Sequence, residues 1–269
     1  MKHRFLTLAL ALLTGLLAGC SGMVITGAPD VEKTAFGPKK RFAVVSIASV
    51  KTFQGERGFG DAFKDADQIP GANTQPMINK LHPKIVSTLA KSQQFTLVPE
   101  ARVLGDKAYK AAAEDPRTMK VLMFNVDMNT ANSYKYYTEP EKLAKLARDL
   151  GVDGVIGIHV TFGIAASKSA FSINGISFGK KSYTSTATVN AMAYNQKGEV
   201  IWKDSTMKAA EDEDKRAIIV LDTSSFSGAD FEKMQPAAIQ IGGKSMEVLM
   251  TRFEDTMAGK DVERVQSIK

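Results

Sequence analysis

The stretch Leu146-Ala147-Arg148-Asp149-Leu150-Gly151-Val152-Asp153-Gly154-Val155-Ile156-Gly157-Ile158-His159-Val160-Thr161-Phe162 decides how this chain folds. Leu143, Leu146 and Leu150 recur on one face of a helix, and Gly151 ends it. The Val- and Ile-rich run from Val152 to Phe162 reads as a strand. Upstream, Thr138-Glu139-Pro140-Glu141 has the form of a capping box with proline inside the first turn. A helix handed to a strand through one glycine points to an α/β domain.

Downstream, Phe171-Ser172-Ile173-Asn174-Gly175-Ile176-Ser177-Phe178 is a hairpin signal, because Asn-Gly favours the two-residue type I′ turn. That register pairs Ile173 with Ile176 and Phe171 with Phe178 on one face, leaving Ser172 and Ser177 on the other. The stretch Tyr183 to Tyr194 continues as a long alternating strand, Gln196-Lys197-Gly198 turns it, and Glu199 to Lys203 returns antiparallel. Residues 207–216 read as a charged, solvated connection before a short apolar run, Ala217 to Leu221. A last helix is expected from about Pro236 to Met257, where Gly242-Gly243 either weakens it or permits close packing.

Towards the amino terminus, Arg41 to Ala48 is a near-continuous apolar run, the pattern of a buried strand. Residues 51–74 form a glycine-punctuated loop of a length that is often functional. Its Gly55-Glu56-Arg57-Gly58-Phe59-Gly60 lacks the Lys-Ser/Thr ending of a phosphate loop. Met77, Ile78, Leu81, Ile85 and Leu89 mark a helix, Phe95 to Pro99 a short strand, and Glu100 to Glu114 a second helix. Val121 to Phe124 is ambiguous between helix and strand. Residues 125–137, with Tyr134, Tyr136 and Tyr137, read as a polar, aromatic domain edge, or as a glycan or partner surface.

The front of the chain is an address. A basic start at Lys2 and Arg4 precedes an apolar run from Phe5 to Leu17, too short for a bilayer, which needs about 20 residues. Leu17-Ala18-Gly19-Cys20 resembles the lipobox of bacterial lipoproteins, and Cys20 is the only cysteine in the chain. The resemblance implies cleavage before Cys20, covalent lipid on its thiol and amine, and no thiol left for a disulfide. Ser21, not being aspartate, implies sorting to the outer membrane with the domain facing the periplasm; the inner membrane is the other address. The expected organisation is a signal peptide over 1–19, a lipidated tether over 20–40, one α/β domain over 41–258 and a polar tail over 259–269. Fully extended, the tether reaches about 70 Å at ~3.5 Å per residue.

The order of elements gives a mixed sheet flanked by helices, with a projecting β-hairpin. It is similar to the envelope fold of the curli-secretion lipoprotein CsgG and the amino-terminal domain of TolB. The similarity rests on Arg41–Ser49, Leu81–Val98 with Pro99-Glu100, Leu146–Phe162 and the antiparallel pair 183–206. It implies a secretion channel, a periplasmic scaffold or an activator of cell-wall synthases, none of them enzymatic.

Charge and residue types narrow the function further. The 35 basic and 29 acidic residues are scattered, unlike the clustered basic face of a nucleic-acid binder. Once His3 leaves with the signal, His82 and His159 remain, without metal-ligand spacing, and there is no Gly-x-Ser-x-Gly elbow. The acidic run Glu211-Asp212-Glu213-Asp214 lacks the glycine-punctured loop of a calcium site, and nothing singles out carboxylates such as Asp127 and Glu139 for glycosidic cleavage. The expectation is a non-enzymatic, lipid-anchored envelope protein with no cofactor beyond the lipid on Cys20. It would act by self-association or by docking an envelope protein, with Phe171, Ile173, Ile176 and Phe178 as the contact hairpin. A subunit of an outer-membrane, curli-type secretion assembly is the alternative, although that apolar band is short for the 9–11 residues of a membrane strand. The same ribbon packed on its own domain is the plain reading. A cell-wall synthase regulator is a further option.

Overall fold

The computed structural model describes residues 28–54, 72–121, 124–166, 180–222 and 228–262. Its strands are β1 (Asp30–Val31), β2 (Arg41–Val50), β3 (Thr96–Leu97), β4 (Thr118–Val121), β5 (Phe124–Thr130), β6 (Gly154–Ala166), β7 (Lys180–Asn195), β8 (Val200–Ala209) and β9 (Ile219–Asp222). The helices are α1 (Gln75–Leu89), α2 (Glu100–Gly105), α3 (Lys107–Ala111), α4 (Pro140–Asp149), α5 (Ala210–Glu213) and α6 (Gly228–Met257). The sheet is ordered β1-β8-β7-β6-β2-β5-β4, with β3 beside β2 and β9 beside β7. Pairing with β2 is parallel for β3 and β6, whereas β6, β7 and β8 form an antiparallel meander. The fold is α/β with a mixed sheet flanked by helices, as the sequence predicts.

Each face of the sheet has its own helical cover. On one, Ile156, Ile158, Val160 and Phe162 of β6 and Ala187, Val189 and Ala191 of β7 meet Ile78, Leu81 and Ile85 of α1 and Met234, Ile241 and Leu249 of α6. On the other, Val45 and Val155 meet Leu143, Leu146 and Ala147 of α4, with Val103 and Tyr109 alongside. Val44 faces the first layer and Val45 the second by ordinary alternation, and the register shift in β2 between Val44 and Ser46 returns Ile47 to the first. Gly242 is where α6 approaches α1: a Cβ there would stand 2.8 Å from Leu81 Cδ2. Close packing, not weakness, accounts for that glycine.

Several expectations need correction. Residues 28–40 are no tether: β1 pairs with β8, and the Phe36 ring stacks on Phe42 at 5.0 Å and meets Phe253 edge-on at 5.0 Å. The domain therefore begins before residue 41, because an aromatic ring buried among three others outweighs a polar neighbourhood. The segment Glu100 to Glu114 is two short helices, split at Asp106, whose side chain accepts from the Ala108 N–H at 2.7 Å and caps the second. The last helix starts at Gly228, and Pro236 lies inside it. Residues 124–130 are a strand, and Tyr134, Tyr136 and Tyr137 are buried rather than laid over an edge.

The capping box is also replaced. Thr138 gives α4 no side-chain cap. Asp115 does so from a distance, accepting from the N–H groups of Thr138 at 2.7 Å and Glu139 at 2.9 Å and pairing with Lys142. The other end follows the sequence: Gly151 has φ +62°, its N–H bonds Arg148 O, and Val152 N–H bonds Ala147 O.

Candidate functional site

The residues singled out for lipidation and partner contact, Cys20 and Phe171, Ile173, Ile176 and Phe178, lie outside the described residues. What is described is the ladder between β6 and β7, the strands on either side of those four hairpin residues. The β6–β7 pairing advances one residue on each strand, without a shift, from Gly154 opposite Asn195 to Ala166 opposite Tyr183.

Of the two histidines, His82 is structural. Pro83 lacks an N–H and leaves the Asn79 carbonyl without its helical donor, and His82 Nδ1 lies 3.0 Å from that oxygen. His82 Nε2 lies 3.3 Å from Glu100 Oε1, so the ring ties α1 to α2. The carboxylates named above answer lysines: Asp127 lies 3.7 Å from Lys51, and Glu139 3.3 Å from Lys142. In the acidic run, Asp214 accepts from Arg216. No group of three or more His, Cys, Asp or Glu side chains fit to hold a metal occurs among the described residues.

His159 is different. It sits in β6 with Ala48 of β2 on one side and Asn190 of β7 on the other, and Asn190 in turn faces Ser205 of β8. Residues directly opposite in a sheet project from the same face. The row His159, Asn190, Ser205 is therefore continuous across three strands. The Tyr136 ring lies over His159, 5.5 Å between centroids and 23° from parallel. Tyr136 Oη, Asn190 Oδ1 and Ser205 Oγ are buried and without hydrogen-bond partners. Each such atom costs about 1–3 kcal/mol.

Burial drives the His159 imidazole down to about 4 and the Tyr136 hydroxyl up to about 12, so both are neutral at pH 7. Part of the His159 residue is open to solvent. Thr161, Thr188 and Met207 border the row on one side, and Gly157, Met192 and Lys203 on the other. Asn190 and Ser205 carried no sequence signal beyond being polar positions within otherwise well-formed strands.

Two shallow clefts lie elsewhere. One, of about 340 Å³, runs between Ala111, Ala112, Tyr137 and α4, where Lys142 and Lys145 are paired with Asp115 and Asp149. The other, of about 360 Å³, lies between α1 and α6, where Lys84 and Lys244 share Glu247.

No family model and no curated protein sequence matches the chain. Among solved structures, one described as a neuraminyllactose-binding hemagglutinin homolog from Helicobacter pylori aligns over 83% of this chain and 94% of that one, at 8% identity and a TM-score of 0.33. A likeness that distant bears on neither site nor activity. Among the described residues no helix is long and apolar enough to cross a membrane.

Proposed function

We propose that this protein is a lipid-anchored, non-enzymatic scaffold of the bacterial envelope, held by lipid on Cys20, most simply at the outer membrane, and acting by association with its own copies or with an envelope protein. The supporting observation is the unshifted β6–β7 ladder up to Ala166 and Tyr183, whose two strands flank the Asn174-Gly175 turn that the sequence selects. In the sequence, Phe171, Ile173, Ile176 and Phe178 alternate about that turn as one apolar face, a ribbon that proteins otherwise shield. The docked β1 supports a close-held domain: ten residues from Cys20 to Asp30 reach about 35 Å at most.

The test is native size and crosslinking of the membrane-extracted protein, with and without Phe171→Ser and Phe178→Ser together. The reading expects a defined oligomer or a stoichiometric partner that the double variant loses. A strict monomer that co-purifies with nothing defeats it. A ladder closing at ring size favours the curli-type assembly instead. Cys20→Ser should move the protein from the membrane fraction to the soluble periplasm.

A further inference from the structure

The outer surface where α1 meets α6 carries more positive charge than its own acids answer. From Gln75 to Pro99 the chain holds no Asp or Glu. Lys80, Lys84 and Ser87 fall on one stripe of α1, and Lys91 follows just past its end. Lys244 stands across from them on α6. Two glutamates of α6 face α1. Glu247 takes Lys84 at 2.5 Å and Lys244 at 3.4 Å, and Glu254 accepts from Ser92 Oγ at 2.6 Å and Gln94 Nε2 at 3.0 Å. Among the described residues no ion pair holds Lys80 or Lys91, so four lysines meet two carboxylates. Acids nearer the ends of α6 have lysines of their own, Asp230 with Lys233 at 3.6 Å and Asp255 with Lys260 at 2.7 Å.

The surface is shaped as well as charged. Between the helices lies the cleft of about 360 Å³, floored by Leu81, Ile239 and Gly243. Gly243 gives the Lys84 stem room to lie across it, since a Cβ there would stand 3.3 Å from Lys84 Cγ. An apolar floor under a rim of ammonium groups suits a phosphate borne on a glycerol backbone. The amino end of the domain arrives at the same layer: Val31 of β1 packs into the core that α6 covers, and the Phe36 ring meets Phe253 of α6. The ten residues from Cys20 to Asp30 reach about 35 Å at most, so lipid on Cys20 would keep this side near its membrane.

We infer that the α1–α6 surface rests on anionic phospholipid headgroups of the membrane that carries the Cys20 anchor, with Lys80, Lys84, Lys91 and Lys244 towards the phosphates. The inference deepens the anchored-scaffold reading and rests on it. The anchor sets the distance, and the lysines set which side meets the lipid, leaving α3 and α4, on the opposite face of the sheet, turned away from it.

The test reconstitutes the membrane-extracted full-length protein into nanodiscs of phosphatidylcholine, alone or mixed with phosphatidylglycerol, and follows lysine acetylation by mass spectrometry. Co-elution with the neutral discs reports the anchor whichever side meets the lipid, so failure of the anchor and failure of the surface are told apart. Phosphatidylglycerol should slow acetylation of Lys80, Lys91 and Lys244 by about threefold or more while Lys107, Lys110 and Lys145 of α3 and α4 stay unchanged, and high salt should abolish the difference. Lys80→Gln, Lys84→Gln and Lys244→Gln together should free Lys91 from that protection yet melt as wild type does, because exposed ion pairs contribute little. Equal slowing on both sides, no slowing, or a triple variant whose Lys91 stays protected overturns the inference. Protection by soluble polyaspartate with none from the anionic discs also overturns it, in favour of an acidic protein partner.

Discussion

The buried ion pair between β8 and α6 allows one prediction to be worked through. Arg252 holds Asp204 with two parallel bonds, Nε to Oδ2 at 2.9 Å and Nη2 to Oδ1 at 3.0 Å, and the side chains are 10% and 2% exposed. Burial pushes the Asp204 carboxyl up even against the Arg252 hydrogen bonds that pull it down. The two partners therefore respond differently to the loss of the other. Asp204→Leu takes the carboxylate away from a buried guanidinium that cannot shed its charge, at a cost of about 3–5 kcal/mol. Arg252→Met strands a carboxyl that can take up a proton. Its pKa stands above the unfolded value, so the folded state binds that proton more tightly, and the loss shrinks as pH falls. The double variant replaces both by apolar groups and should lie within about 2 kcal/mol of wild type. Urea unfolding followed by Trp202, the only tryptophan and packed 4.7 Å from Phe253, reports on this spot directly. Single variants costing under about 1 kcal/mol, or a double-mutant coupling below about 0.5 kcal/mol, would refute the reasoning.

Three further outcomes follow from particular contacts. Asp115→Ala removes the acceptor for the Thr138 and Glu139 N–H groups and should cost about 2–3 kcal/mol by denaturant titration, with α4 losing amide-exchange protection first. Gly154→Ala would place a Cβ 2.5 Å from Phe42 Cε1, on a ring stacked against Phe36, and should lower stability by about 1–3 kcal/mol. Because His159 is neutral in the fold and depressed to about 4, its contribution is full above pH 6.5 and declines as pH falls towards 4. The decline has a ceiling of about 3 kcal/mol, less to the extent that water reaches the ring, and His159→Phe should flatten that part of the pH–stability curve.

Local patterns carried much of the fold. The apolar spacing of α1, the Gly151 stop and the alternation in β7 all describe residues that interact with near neighbours or a single face. The failures are contacts made across the chain. Phe36 looked like part of a linker because its partners, Phe42 and Phe253, lie on β2 and α6. The Thr138 box gave way to Asp115, which no local rule connects with α4. Tyr109 and Tyr137 are buried because backbone carbonyls at Val45 and Ala112 accept their hydroxyls, and composition alone does not reveal those partners. Pro236 reads as a helix start yet sits inside α6, a helix pinned to the sheet by Thr206 Oγ1 on Ser245 O and Ser245 Oγ on Ala187 O. The polar row was half visible: His159 and Tyr136 stood out by type, whereas Asn190 and Ser205 needed the strand register to acquire neighbours.

The ring cluster of Phe36, Phe42, Phe95, Trp202 and Phe253 also sets the order of events at the birth of the molecule. Its members span the chain, and β1 cannot pair until β8 exists. A chain emerging amino end first has no early fragment able to close this nucleus, so the leading segments wait, solvated, for the last helix. Distant contacts of this kind slow folding and lengthen exposure of unpaired edges. Were the chain exported as proposed, this delay would be useful, since a chain that cannot fold early stays thin enough to pass a membrane.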